Sequence, residues 1–177
     1  MWISYFGIRV TDLERSLKFY TKVFSLVEIA RGGNDVQQYV LFKDPMSGQK
    51  IELNWYSKDS EFATLYVPGE GLDHIGVRVK NLDEMLKRLS RMGIHPATKE
   101  LGALDEHGKL LNEDIWYLKG GPRVAYIKDP DGNFIELYDH PDEPWGTIPE
   151  GVLNFSTGCT RRKLKLVKPR KIIAYPN

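Results

Sequence analysis

The sequence predicts an α+β fold in which two βαβββ modules form a curved mixed-sheet cup, followed by a basic C-terminal extension. Three observations predict this fold: an internal repeat, strand-like alternation at the start of each copy, and a helical apolar stripe after it. The copies begin YFGIRVTDLERSLKFY and HIGVRVKNLDEMLKRL, and they end KDPMSGQKIEL and KDPDGNFIEL. We therefore divide the chain into a first module (1–56), a linker (57–72), a second module (73–140) and an extension (141–177).

In the first module, residues 4–10 alternate polar and apolar side chains and are predicted to form a strand. Thr11 and Glu14 match a capping box, which predicts the start of a helix with an apolar stripe that includes Leu13 and Phe24. Three strands follow in VEIA, VQQYVLF and KIELNW, and a turn at 44–48 separates the last two.

In the second module, residues 73–79 are predicted to form the first strand. Asn81 and Glu84 cap the helix, and Gly93 ends it. Strands are predicted near 94–99, 114–118, 123–128 and 134–138. Residues 101–114 are an insertion relative to the first copy, and their pattern fits a lid over a site and a plain surface loop equally.

Composition limits the classes of partner. The net charge of +1 gives the whole chain no field that would attract nucleic acid. No apolar run is long enough to cross a membrane, the N-terminus lacks a signal-peptide pattern, and Cys159 has no cysteine to pair with. We expect a cytoplasmic protein that binds a small molecule but neither nucleic acid nor membrane. The basic residues at 151–177 alternate with apolar ones, which favours an added strand packed on the body or on a second subunit.

Two pairs of residues occupy equivalent positions in the repeat. Glu52 and Glu136 each lie between Ile and Leu on the last strand, while Tyr5 and His74 begin the first strand. Alternation directs the Ile and Leu side chains to the core, so the glutamates face the concave side, as do Tyr5 and His74. Two carboxylates and an imidazole brought together would suit a divalent cation such as zinc, nickel, manganese, iron or cobalt.

Arg9 and Arg78 are also repeat partners, each four residues beyond Tyr5 or His74 on the same strand face. An arginine lining a cup can bind a substrate carboxylate through two parallel hydrogen bonds. A salt bridge to a nearby acid explains the same residues equally well, so both roles stay open.

The KDPDGNFIEL, DHIGVRV and RVTDLERSLKFYTKVF segments resemble the vicinal oxygen chelate superfamily, which includes glyoxalase I, extradiol dioxygenases and bleomycin-resistance proteins. The resemblance covers residues 2–140, and within the superfamily the chain is most similar to the glyoxalase I branch. It implies paired βαβββ modules around a divalent metal bound by Glu52, His74 and Glu136. At the first ligand position, where the family usually has His or Gln, this chain has Tyr5. Arg9 matches the arginine that binds the glutathione carboxylate.

The resemblance implies a metal-dependent lyase or isomerase that acts on a hemithioacetal or an α-hydroxycarbonyl. Glu136 would transfer the proton next to the chelated carbonyl, and Glu52 would mirror it. From their places in the repeat, we expect Arg9, Arg78 and Tyr5 to contact the substrate. For Tyr5 three other roles stay open: binding the metal as a phenolate, hydrogen bonding to a metal-bound water, or no part in the site. The family also implies a homodimer, with modules paired either within one chain or between two.

Two alternatives stay open. One is a non-catalytic binding protein of the same fold, in which aromatic side chains stack on a flat ligand; the candidates are Trp55, Tyr56, Trp116 and Tyr117. The other is an extradiol dioxygenase, which fits less well because residues 115–124 contain no histidine and the first iron ligand would fall at Tyr5.

Overall fold

Each half of the chain folds into a four-stranded mixed sheet with one α-helix. The computed structural model describes residues 3–69, 72–102, 113–117 and 122–141. The first module contains β1 (Phe6–Arg9), α1 (Leu13–Phe24), β2 (Val27–Gly33), β3 (Gln37–Lys43) and β4 (Lys50–Tyr56). The second contains β5 (Ile75–Arg78), α2 (Leu82–Arg91), a 3-10 helix (Thr98–Leu101), β6 (Trp116–Tyr117), β7 (Arg123–Lys128) and β8 (Phe134–Asp139).

The two sheets share one topology. Their strand orders are β1-β4-β3-β2 and β5-β8-β7-β6, and the first and last strands of each module run parallel. This arrangement confirms the predicted α+β fold of two βαβββ modules. The predicted C-terminal extension lies outside the described residues from 142 onward, as does most of the 101–114 insertion. No helix in the described part of the chain is long and apolar enough to cross a bilayer.

The last strand of each module separates core residues from candidate site residues. Leu53 is fully buried beside Glu52, and Ile135 and Leu137 are fully buried on either side of Glu136. These side chains join one apolar cluster that contains residues of both helices, including Tyr20 and Leu89. Because side chains alternate along a strand, both glutamates lie on the face away from this core, as the repeat predicted.

Both helices begin with a side-chain cap, but the predicted cap of α1 is wrong by one residue. Asp12, not Thr11, is the N-cap, and its carboxylate accepts a hydrogen bond from the Arg15 amide at 2.9 Å. The Thr11 hydroxyl instead donates to Asp131 of the second module. The α2 cap is confirmed, since Asn81 accepts from the Glu84 amide at 3.0 Å. Gly93, at φ 76°, follows α2, as expected of a residue that ends a helix.

The strand predicted near 94–99 is also wrong. Residues 98–101 form the 3-10 helix, and the chain at its start meets β7 at Tyr126. There the Ala97 amide donates to the Tyr126 carbonyl at 2.6 Å, and the Tyr126 amide donates to the Thr98 hydroxyl at 2.9 Å. The Thr98 hydroxyl therefore takes the place of a backbone carbonyl as the acceptor for the Tyr126 amide. The chain turns away from β7 at this point and does not add a strand to the sheet.

A turn of the second module joins it to the first helix. Asp131 in the turn between β7 and β8 accepts hydrogen bonds from the Thr11 amide at 3.2 Å and from Arg15 at 2.8 Å. The Tyr20 hydroxyl in α1 donates to Asp129 of the same turn at 2.9 Å. Asp129 and Asp131 are both buried, so these bonds satisfy carboxylates that water does not reach.

Candidate metal centre

His74 lies just before β5 and is held between two carboxylates. Its Nδ1 atom is 2.7 Å from Oδ2 of Asp73, and its Nε2 atom is 3.7 Å from Oε2 of Glu136. In the tautomer whose Nδ1 hydrogen bonds to Asp73, Nε2 carries a lone pair on the side of Glu136. A carboxylate on the far nitrogen is a common way to orient a metal-binding histidine.

Glu136 is oriented by a neighbouring strand. Tyr126 on β7 is its register partner across the antiparallel pair, and the Tyr126 hydroxyl donates to Oε2 of Glu136 at 2.5 Å. The Tyr126 ring also meets the His74 ring edge to face, with centroids 5.8 Å apart. The imidazole and the carboxylate are therefore both positioned by one aromatic side chain.

The gap between His74 and Glu136 is slightly wider than two ligands of one cation would leave. At 3.7 Å the Nε2 and Oε2 atoms are too far apart for a good hydrogen bond. Two ligand atoms that each lie about 2.1 Å from one ion are separated by about 3.0–3.4 Å. The donor types, one imidazole nitrogen and one carboxylate oxygen, suit a first-row divalent metal, so the two residues match such a site in chemistry and approach it in spacing.

Glu52 lies outside this pair. It is partly buried on β4, where Oε1 accepts a hydrogen bond from Asn54 at 3.1 Å. Within the described ranges of one chain, no three His, Cys, Asp or Glu side chains form a group that could hold a metal ion. A single copy of the chain thus brings together His74 and Glu136 but does not add Glu52 to them.

The remaining predicted site residues lie on the two first strands. Tyr5 precedes β1 and is 47% exposed. Arg9 ends β1 opposite Asn54, and Arg78 ends β5 opposite Tyr138. Arg9 is partly buried between two tyrosine rings: its guanidinium carbon lies 5.1 Å from the Tyr56 ring centroid and 5.4 Å from that of Tyr66.

The four aromatic side chains considered for a flat ligand are dispersed. Trp55 packs against the apolar core, and Tyr56 lies beside Arg9. Trp116 is buried against Tyr126, with ring centroids 5.9 Å apart, whereas Tyr117 is 72% exposed. They do not form a single stacking surface.

Sequence reasoning missed Asp73 and Tyr126. Asp73 directly precedes His74, and that adjacency was a usable signal. Tyr126 is ten residues before Glu136, and only the register of a hairpin around the 129–133 turn places the two side by side. A residue pair that depends on register is hard to recognise without knowing where the turn begins.

Comparison with known proteins identifies the family of the chain. Residues 2–137 match the model of the Glyoxalase/Bleomycin resistance protein/Dioxygenase superfamily. The chain belongs to this superfamily. Lactoylglutathione lyase of Escherichia coli O157:H7 is 31% identical over 142 residues, which cover 76% of this chain and 90% of that protein. A probable lactoylglutathione lyase of Vibrio parahaemolyticus is 29% identical, with 73% of this chain and 84% of that protein covered.

Solved structures of the superfamily share the fold. Trypanothione-dependent glyoxalase I of Leishmania major has a TM-score of 0.53 at 23% identity and matches 79% of this chain and 88% of its own. FosX of Listeria monocytogenes, a fosfomycin resistance protein solved with Mn(II) and sulfate, has a TM-score of 0.51 at 20% identity. That match covers 78% of this chain and 91% of FosX. At these identities the structural likeness shows the fold alone.

Proposed function

We propose that the protein is a metal-dependent lyase or isomerase resembling glyoxalase I. Its substrate would be a hemithioacetal or an α-hydroxycarbonyl, and the reaction would move a proton between neighbouring carbons. The observation that carries this proposal is the Glu136 carboxylate, which faces His74 Nε2 at 3.7 Å and is held by Tyr126 at 2.5 Å. The lactoylglutathione lyases at about 30% identity support the same reaction class.

His74 and Glu136 would hold a divalent cation together with Glu52. When bound there, such a cation would act as a Lewis acid and offset the negative charge that develops on the substrate oxygens. Glu136 removes the proton from the carbon next to the carbonyl and returns it to the neighbouring carbon. Tyr126 hydrogen-bonds to Oε2 of Glu136, which leaves Oε1 as the oxygen that carries the proton.

A second copy of the chain would complete the site. Because one chain does not gather Glu52 with His74 and Glu136, we assign Glu52 to the partner subunit of a homodimer. The two sites would be equivalent by twofold symmetry, each with one module from each chain. Glu52 would then occupy the position that mirrors Glu136.

Replacement of the proposed base tests the reaction. Glu136→Gln should reduce kcat at least about a thousandfold, because the amide cannot accept the proton. Thioester formation from methylglyoxal and glutathione, followed by absorbance on protein loaded with a divalent metal, measures this loss. Glu84→Gln, on the exposed side of α2, is the matched control and should leave kcat unchanged. Full turnover by Glu136→Gln would contradict the assignment.

A non-catalytic binding protein is the second candidate. Tyr5 favours it, because a neutral phenol is a poor ligand at the position where the family usually has His or Gln. Metal analysis separates the two functions. About one equivalent of metal per subunit, lost in His74→Ala, supports the enzyme, whereas ligand binding without metal supports the binding protein.

A further inference from the structure

Two lysines face each other at one end of the first sheet. Lys43, at the end of β3, is the register partner of Lys50, at the start of β4, and we call the two the lysine pair. Side chains directly opposite in an antiparallel pair have Cβ atoms about 5 Å apart, and like charges placed so destabilise the sheet. Neither lysine forms an ion pair within the part of the chain that the structure describes.

The carboxylates nearest in sequence are engaged elsewhere. Asp44 accepts hydrogen bonds from the Met46 and Ser47 amides and from the Ser47 hydroxyl. Glu52 accepts a hydrogen bond from Asn54 at 3.1 Å. The positive charge of the lysine pair is therefore available to an added anion.

The second module has a different pair at the equivalent position. Lys128 corresponds to Lys43, and its register partner Phe134 corresponds to Lys50. Lys128 forms an ion pair with Glu100, and its Nζ atom lies 4.9 Å from the centroid of the Phe134 ring. The module fold therefore forms with one neutralised cation at this position and does not need two.

The lysine pair lies on the same sheet face as Glu52. Phe42 and Leu53 are fully buried on the core face of β3 and β4. Because side chains alternate along a strand, the lysine pair and Glu52 lie on the opposite face. Lys50 is two residues before Glu52, or about 7 Å along the strand. An anionic group at the lysine pair could thus belong to a molecule that also reaches Glu52.

We propose that the lysine pair binds an anionic group on the aldehyde-derived part of the substrate, so that the site favours 2-oxoaldehydes carrying a carboxylate or a phosphate. Lysine ammonium groups bind both anions as point charges. Arg9 is opposite Asn54, two residues beyond Glu52 in the other direction, so it would contact a different part of the substrate. This inference rests on the proposed function, which places the reacting carbons beside Glu52.

Three 2-oxoaldehydes test the substrate class, each supplied as its glutathione adduct to metal-loaded protein. Methylglyoxal is neutral, 4,5-dioxopentanoate carries a carboxylate, and 3-phosphooxy-2-oxopropanal carries a phosphate. A double variant with Lys43→Met and Lys50→Met should raise KM for an anionic adduct about five- to tenfold, with kcat within about twofold and KM for the methylglyoxal adduct unchanged. The anionic adduct with the larger rise identifies the preferred group. Lys18→Met, on the exposed side of α1, is the matched control and should change no KM.

A charge-preserving variant separates binding from a structural role. Replacing both lysines by arginine should keep the wild-type KM for the anionic adducts. Because the methionine variant removes a like-charge pair, it should melt no lower than the wild type. Equal changes in KM for all three adducts, or no change for either anionic adduct, would overturn the proposal.

Binding without turnover separates this inference from the proposed function. Methyl phosphate and acetate are titrated into zinc-loaded protein at constant ionic strength, and the backbone amide signals are followed by NMR. Saturable shifts at residues 43 and 50, but not at the equivalent residue 128, would support the anion site even if no lyase activity were found. Lyase activity without such shifts and without discrimination among the three adducts would leave the reaction standing and refute the anion site.

Discussion

Tyr126 is the residue on which the candidate centre depends most directly. Its hydroxyl donates to Glu136 and its ring lies edge to face with the His74 ring, so one side chain positions both groups. The hydrogen bond from Tyr126 fixes the orientation of the Glu136 carboxylate. Tyr126 should therefore influence the reaction through Glu136 rather than by touching the substrate.

Tyr126→Phe tests this role. Loss of the donor removes the contact that orients the Glu136 carboxylate, so kcat should fall about tenfold while KM changes little. Metal content should stay the same, because Phe keeps the ring beside His74. Tyr138→Phe, two residues from Glu136 on the same strand face, is the control and should leave kcat unchanged. Wild-type kcat in Tyr126→Phe would refute the role.

At the scale of the elements, the start of α2 is tied to the end of β8. Asp139 accepts a hydrogen bond from the Leu82 amide at 2.8 Å and two from Arg123, at 3.0 and 2.6 Å. Burial alone would raise the pKa of Asp139, but the Arg123 and Leu82 donors outweigh it and hold that pKa below its usual value. The helix therefore depends on a carboxylate that must stay ionised.

This contact makes stability depend on pH. The folded-state pKa is the lower one, so the contribution of Asp139 is full above its ordinary pKa and is lost as the pH falls through the folded value. Asp139→Asn should reduce the free energy of unfolding by about 2 kcal/mol at about pH 7, with a clearly smaller difference at about pH 3. Urea unfolding at the two pH values measures both differences.

Asp83→Asn is the control for this prediction. Asp83 contacts the same arginine at 2.7 Å, but its side chain is 50% exposed. Exposed ion pairs contribute little, so this variant should cost under about 1 kcal/mol. An equal loss of stability from Asp139→Asn at both pH values would contradict the linkage to its charge.

Sequence patterns predicted correctly those features that depend on residues close together in the chain. Alternation around Glu52 and Glu136 predicted correctly which face of each last strand is core, and Asn81 was correctly predicted to cap α2. Thr11 was wrongly predicted to cap α1, because its hydroxyl bonds to Asp131, 120 residues further along the chain. The Tyr126–Glu136 pair was missed for a related reason, since it depends on the register of two strands.

At the scale of the whole molecule, the candidate site is divided. His74 and Glu136 meet within the second module, while Glu52 stays beside Asn54 in the first. The repeat predicted which residues are equivalent, but the pairing of modules depends on surfaces that the repeat does not specify. The homodimer remains a prediction that can be tested by mixing inactive chains.

Mixed dimers of Glu52→Gln and Glu136→Gln chains distinguish sites shared between two chains from sites built within one chain. If each site takes Glu52 from one chain and Glu136 from the other, a mixed dimer contains one intact site. A statistical mixture should then recover about a quarter of wild-type activity, because half of its dimers are mixed and half of their sites are intact. Sites built within one chain would recover none. Turnover after denaturing and refolding the chains together, with each chain refolded alone as the control, measures this.

The turn that contains Asp131 has a consequence for how the chain can be divided. Residues 45–49 of its counterpart in the first module are exposed. Within the described part of the chain, the Asp44 carboxylate there bonds to its own turn, through the Met46 and Ser47 amides and the Ser47 hydroxyl. The two equivalent turns therefore differ in their contacts. The turn of the first module bonds within itself, whereas the turn of the second module supplies the carboxylate that accepts hydrogen bonds at the start of α1. A fragment that ends after β4 would keep every strand of its sheet but lose the partners of Thr11, Arg15 and Tyr20. The two modules share a sequence pattern, yet they cannot be separated without losing these contacts.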